Sequence, residues 1–121
     1  MSNRTGPQNP QMIELIAELK RKSIDESSSF WKRIATDLER PTRGRRAVNL
    51  SRINRFTKDN ELVIVPGKVL GSGVIDHKVT VAAFSFSEGA IVKLKKQNCD
   101  ALSIAELVQK KPKTSDIRIL G

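Results

Sequence analysis

Residues 63–73, VIVPGKVLGSG, place Gly67, Lys68, Gly71, Ser72 and Gly73 directly after a short apolar run. Glycine lets backbone amides come close to an anion, and a lysine beside them adds charge, so this is the composition of a phosphate-receiving bend. Two phosphates fit such a bend: that of a bound nucleotide, and that of a nucleic-acid backbone. A nucleotide-binding P-loop requires the order G-x-x-x-x-G-K-[ST], with a helix opening at the phosphates. Here Gly67 and Lys68 come before Gly71 and Gly73, and the following VIDHKVTVAAF reads as a turn and a strand. Order and context both argue against a nucleotide. Two readings of the bend stay open: amides and Lys68 meeting an anionic chain, or a tight turn that takes glycine for its angles alone.

A second group of residues carries the same chemistry more strongly. Arg40, Arg43, Arg45, Arg46, Arg52, Arg55 and Lys58 are seven cations within 19 residues, with no acidic residue among them. Guanidinium groups bind phosphate bidentately and stack on unpaired bases. An ordinary solvated face mixes signs, so this stretch is expected to meet a polyanion; the plainer alternative is a mobile basic linker. Lys78, just past the bend, is a further candidate contact. The whole chain follows the trend. Its 22 Lys and Arg against 13 Asp and Glu give a net charge of +9, and the pI is about 10.1, in the range of nucleic-acid-binding domains. A membrane surface would also attract such a chain but needs an apolar anchor. The longest apolar runs, Leu62–Val65 and Val81–Phe84, are far too short to span one. No membrane partner is expected.

Other chemistries find little support. His77 is the single histidine and Cys99 the single cysteine, too few for a metal site. His77 reads as a surface residue or phosphate contact, and Cys99 as a small buried hydrophobe. Ser72 has no acidic orienter to complete a nucleophilic triad. Neither a catalytic site nor a cofactor nor a small-molecule substrate is expected. Phe30 and Trp31 could stack on bases, but Trp31 falls on an apolar helical stripe and reads as core. With four Phe, one Trp and no Tyr, recognition by charge and shape is expected over a stacking platform. The opening MSNRTGPQNP lacks the apolar stretch of a secretory signal, and a lone cysteine fits a reducing compartment, so the expected location is the cytoplasm.

The elements that must position these residues are legible in part. Asn9 and Pro10 open a helix whose apolar face is Met12, Ile13, Ile16 and Leu19, with Leu15 at its edge and a Glu18–Lys22 pair on the wet side. After a break at about residues 23–28, a second helix of about residues 29–39 carries Trp31, Ile34, Ala35 and Leu38 and ends at Pro41. A short helix capped by Asn49 turns Leu50, Ile53 and Phe56 inward and Arg52 and Arg55 outward. ELVIV and KVTVAAFSF read as strands, the second with Val79, Val81 and Ala83 on one face and Ala82, Phe84 and Phe86 on the other. Ser87 caps a helix running to about Gln97, Ser103 and Glu106 form a capping box, and DIRIL closes as a strand. The fold class is thus α/β. Residues 1–60 are expected to form a helical hairpin with a basic extension, and residues 61–121 an irregular ββα core, in one structural unit overall.

VPGKVLGSG, KVTVAAFSFS and the closing IRILG, with NPQMIELIAELKRKS and FWKRIATDLERPTRGRRAVNLSRINRFT upstream, resemble the large-ribosomal-subunit protein family called L-eighteen-e over nearly the whole chain. More distantly they resemble the C-terminal part of the bacterial large-subunit protein L-fifteen. The short length is similar to the archaeal form. The resemblance implies a non-catalytic structural component that binds large-subunit ribosomal RNA beside neighbouring ribosomal proteins. It implies an irregular ββα fold behind a basic extension, and a contact role for Gly67, Lys68, Gly71, Ser72 and Gly73. At KQNCDAL, where relatives carry glycine after the helix, this chain has Asn98, which can take the same left-handed cap. A rival reading is a DNA-binding protein that uses the first two helices as a helix-turn-helix. The break between them is long for that motif, and Lys32 and Arg33 are mixed there with Asp37 and Glu39.

Overall fold

In the first helix, α1 (Pro10–Asp25), Met12, Leu15, Ile16 and Leu19 are buried, at the i, i+3, i+4, i+7 spacing that lines one helical face. The second, α2 (Ser29–Leu38), repeats that spacing with Trp31, Ile34, Ala35 and Leu38, and the two helices pack on each other. The computed structural model describes residues 10–39, 46–110 and 112–120; Asn9 and Pro41, the expected helix boundaries, lie outside them. Ile13 departs from expectation. It lies about 100° round the helix from Met12 and is 51% exposed, while Leu15 fills the seam in its place. Lys22 pairs with Glu26 at 2.7 Å, where the sequence had suggested Glu18.

The link between the helices is shorter than expected because one residue serves both. Ser27 takes a positive φ of 50°. Its N–H donates to the Ile24 carbonyl at 3.3 Å, and the Ser28 N–H donates to the Ser23 carbonyl at 2.8 Å. This is a Schellman closure of α1. The Ser28 hydroxyl then accepts from the Trp31 N–H at 3.4 Å and opens α2. The link is therefore residues 26–28, and α1 and α2 belong to the first of two compact units, Met1–Arg45 and Arg46–Gly121.

The second unit is built on five parallel strands: β1 (Arg46–Asn49), β2 (Glu61–Leu70), β3 (Val79–Phe86), β4 (Asp100–Ser103) and β5 (Ile117–Ile119). Their order is β1-β2-β3-β4, with β5 also on β2. The helices are α3 (Leu50–Phe56), α4 (Glu88–Lys96) and α5 (Ile104–Gln109). An α/β fold is thus present, and the expected ββα core appears as β2, β3 and α4. The unit boundary falls at Arg45/Arg46 where the sequence had placed a division at residue 60. The reason is β1, an unexpected strand inside the arginine-rich stretch that pairs Arg46 with Gly67 through to Asn49 with Leu70. With it comes α3, whose Leu50 and Ile53 enter the second unit's core.

On the edge of β2 away from β3, β5 occupies Leu62–Ile64 and β1 occupies Gly67–Leu70. Pro66 stands at the changeover, where the register to β3 also shifts between Val65 and Lys68. Proline has no N–H to donate, and here both ladders are interrupted. This explains how β2 runs through a proline at which the sequence had seemed to end a strand.

Both sheet faces are covered. Val63, Val65, Val69, Val79, Val81 and Ala83 share a cluster with Leu50 and Ile53 of α3 and Ala90 and Leu94 of α4. Ile64 and Ala82 are also fully buried and alternate with these residues, as strand periodicity requires. The helix α5, with Ile104, Leu107 and Val108 buried, contacts β3 and β4. Phe86, expected with Ala82, packs against the first cluster instead, at the point where β3 turns into α4. Two of the expected caps form, whereas Asn49, at the N-cap of α3, makes no side-chain cap bond. The Ser87 hydroxyl accepts from the Ala90 N–H at 3.2 Å, and Ser103 and Glu106 make the reciprocal capping box. The Ser103 N–H and hydroxyl hold the Glu106 carboxyl below its ordinary pKa.

Ser27 adopts a left-handed conformation that costs an L-residue about 1–2 kcal/mol, part of which glycine gives back through its freer unfolded chain. Ser27→Gly is therefore expected to stabilise the protein by about 0.5–1 kcal/mol in chemical denaturation. A lowered midpoint would contradict the assigned cap.

Candidate nucleic-acid interface

The connection from β2 to β3 sets the geometry of the site. The strands are parallel neighbours, and Val79 at the start of β3 pairs with Glu61 at the start of β2. After Leu70 the chain must return the length of β2, about 30 Å at roughly 3.3 Å per residue. The eight residues 71–78 do this without helix or strand. At about 3.3–3.6 Å per residue they barely reach, so this strap runs nearly extended. Ile75, 4% exposed, anchors it in the core cluster.

The strap lies between α3 and α4 and bonds to both. On the α3 side the Ser51 N–H donates to the Ser72 carbonyl at 3.1 Å, and the Asp76 N–H to Asn54 Oδ1 at 3.0 Å. Thr57 Oγ1 lies 2.8 Å from His77 Nε2. On the α4 side Lys93 Nζ donates to the Gly71 carbonyl at 2.7 Å and the Gly73 carbonyl at 2.8 Å. Past the end of α4, the Cys99 thiol donates to the His77 carbonyl at 3.4 Å.

Both glycines are sterically required here. A Cβ on Gly71 would stand 2.8 Å from the Gly89 carbonyl carbon, and one on Gly73 would stand 2.5 Å from Ser51 Cβ. Gly73 also has φ 91°. The tight-turn reading thus holds, and it is compatible with anion contact. The carbonyls of residues 71–73 all accept hydrogen bonds, from Lys93 and Ser51. The amides of Ser72 and Gly73, on exposed residues, have no acceptor among the described residues.

The expected contact residues divide into five groups. Arg40, Arg43 and Arg45 lie outside the described residues. Arg46 begins β1. Arg52 and Arg55 are exposed on α3, whose Ser51, Asn54 and Thr57 bind the strap, so the structure brings this basic helix and Gly71–Gly73 together. Lys58 and Lys78 are exposed on adjoining turns, joined by the Asn60 N–H donating to the Lys78 carbonyl at 2.6 Å. Gly67 and Lys68 are not part of the bend. They lie within β2, Gly67 buried and Lys68 exposed, because pairing with β1 carries the strand on to Leu70.

Three features were not foreseen. Phe56, expected to point inward, is 45% exposed, and the Arg52 guanidinium sits 5.1 Å from its ring centroid, a cation–π contact. Lys93, read only as a helix-end cation, clamps the strap; a bond across 20 to 22 residues has no local sequence signal. His77 is half-buried in a chain of polar contacts, with Nδ1 3.0 Å from Asp76 Oδ1. That contact is the main cause of the lowered Asp76 pKa. Glu61 is likewise held low, first by the Lys58 N–H and then by Arg118. Among the described residues no group of three His, Cys, Asp or Glu side chains is placed to hold a metal ion.

No known protein-family profile matches the chain. Individual proteins do. The chain is 46% identical over 112 residues to "Large ribosomal subunit protein eL18" of Methanothermobacter thermautotrophicus, covering 93% of each sequence. Proteins of the same name from Methanospirillum hungatei and Methanoregula boonei are 43% and 42% identical over 120 residues, 99% of each chain.

The close approach of the strap to α4 gives a direct test. Gly71→Ala forces a methyl group into backbone and is expected to destabilise the protein by about 1–3 kcal/mol in chemical denaturation. An unchanged midpoint would contradict the packing.

Proposed function

The chain belongs to the eL18 family of large ribosomal subunit proteins, the L-eighteen-e family of the resemblance above, and we propose that ribosomal RNA binds it along α3 and the strap. As a member of a ribosomal protein family it is a structural constituent of the large subunit in the cytoplasm, without enzymatic activity. Neighbouring ribosomal proteins are its further partners.

The observation that carries the RNA contact is the placement of Arg52 and Arg55 on the exposed side of the helix that binds the strap. Arginines of this kind bridge phosphates and stack on unpaired bases. The amides of Ser72 and Gly73, without an acceptor among the described residues, add neutral donors for phosphate oxygens, as backbone nests do. Arg40, Arg43, Arg45 and Arg46 extend the same basic run toward the N-terminus, while Lys58 and Lys78 continue it past the end of α3. Lys68 offers a further cation from β2. Gly67 lies inside β2, paired with Arg46 of β1. Like charges at this density repel one another in the free protein and are neutralised on RNA.

Binding to large-subunit ribosomal RNA and to duplex DNA, measured from about 50 to 200 mM salt, tests the reading. Arg52→Ala/Arg55→Ala is expected to weaken RNA binding and flatten the log–log salt slope by about 1.4–1.8, two contacts at roughly 0.7–0.9 each. Unchanged affinity and slope would overturn the assignment of α3. Duplex DNA competing as well as ribosomal RNA would favour the DNA-binding reading.

A further inference from the structure

At the end of the sheet where the parallel strands begin, Asn60, Lys78, Val79, Thr80, Asn98 and Asp100 line a cavity of about 260 Å³. That is the space of roughly eight or nine waters at about 30 Å³ each, enough for one planar base. Thr80 and Asp100 are register partners on β3 and β4, so their side chains stand beside each other on one face. Lys78 is fixed through its backbone, whose N–H donates to Asp59 Oδ1 at 3.1 Å and whose carbonyl accepts from the Asn60 N–H at 2.6 Å. Asn60 and Asn98 have φ 67° and 60°, left-handed values that set where both carboxamides stand. Neither the Lys78 ammonium nor the Asp100 carboxylate has an ion-pair partner among the described residues.

We propose that this cavity receives an unpaired guanine of the RNA, an inference that rests on the RNA-binding reading and gives it a sequence-specific element. An ionised carboxylate accepts hydrogen bonds and donates none. Two parallel donors are therefore needed to satisfy both Asp100 oxygens. Guanine presents them as N1–H and the N2 amino group. Adenine and cytosine set a single amino group next to a bare ring nitrogen, which would face the second oxygen with a lone pair. Uracil offers one N–H between two carbonyls. Guanine also carries O6 and N7 as acceptors, to which lysine is a natural donor, and the amide groups of Asn60 and Asn98 add donors of the same kind. A protein guanidinium would suit Asp100 alone but is disfavoured by the Lys78 charge in the same cavity. Unpaired bases are the parts of RNA whose Watson–Crick edge is free to be read in this way.

The test uses the full chain, isotope-labelled for NMR, titrated with guanosine monophosphate and inosine monophosphate, which differ only in the N2 amino group. The guanosine nucleotide is expected to shift the Asn60, Lys78, Asn98 and Asp100 signals saturably and to bind at least about fivefold tighter than the inosine nucleotide, the lower end for a bidentate contact. Asp100→Asn is expected to abolish that preference while leaving signals elsewhere in place. Equal binding of the two nucleotides, no saturable shift, or equal shifts by free arginine would overturn the proposal. Ribosomal RNA binding that persists with an unresponsive cavity removes the guanine site alone. A guanosine-selective cavity in a chain that does not bind ribosomal RNA removes the RNA reading alone.

Discussion

Parallel strands joined by eight residues leave no room for a crossover helix, and much of the second unit follows from that shortage. A parallel connection ordinarily takes a dozen or more residues and packs its own helix on the sheet. Here the extended strap 71–78 is the connection, so the layer over that face must be completed by its neighbours α3 and α4. Glycine at 71 lets the first turn of α4 close on the strap, and glycine at 73 lets the N-terminus of α3 do so. The strap is in turn held at both ends, by Lys93 and Ser51 near its start and by Thr57 and Cys99 near its finish.

The same arrangement divides the basic residues by task. Lys93 spends its charge on two carbonyls of the strap. With Ser51 holding the Ser72 carbonyl, all three carbonyls of the bend are engaged, while the Ser72 and Gly73 amides have no acceptor among the described residues. Arg52 and Arg55 stay on the solvent side, and Phe56 beneath Arg52 restrains one of them in place. A long side chain already restrained loses less rotamer freedom when it is bound. Carboxylates nearby are similarly occupied. Asp76 is tied to His77, and Glu61 to the Lys58 amide and Arg118, so these two acidic groups are engaged locally.

The sequence was most legible where local rules decide. The apolar spacing of α2, the Ser87 cap and the Ser103–Glu106 box depend on residues within one or two turns, and each appeared where expected. So did the left-handed Asn98. What could not be read depends on distant partners. β1 has only Ala47 and Val48 to mark it within a run of arginines, and it becomes a strand by pairing with residues some twenty positions later. That pairing also draws Gly67 and Lys68 out of the supposed loop and into β2. Phe56 sits at an apolar spacing from Ile53 yet faces outward, because Thr57 and His77 close the end of α3 instead. The arginines at 40, 43 and 45 lie outside the described residues, and the proposed surface comprises α3, the strap and the turns around Lys58 and Lys78.

The central claim is that RNA lies on α3 and the strap. Ultraviolet cross-linking of this chain within assembled large subunits, followed by mapping of the RNA-linked peptides, tests it most directly. The account predicts links in peptides carrying Arg52–Arg55 and Ser72–Gly73. Links confined to α1 and α2, with the α3 and strap peptides free, would contradict it.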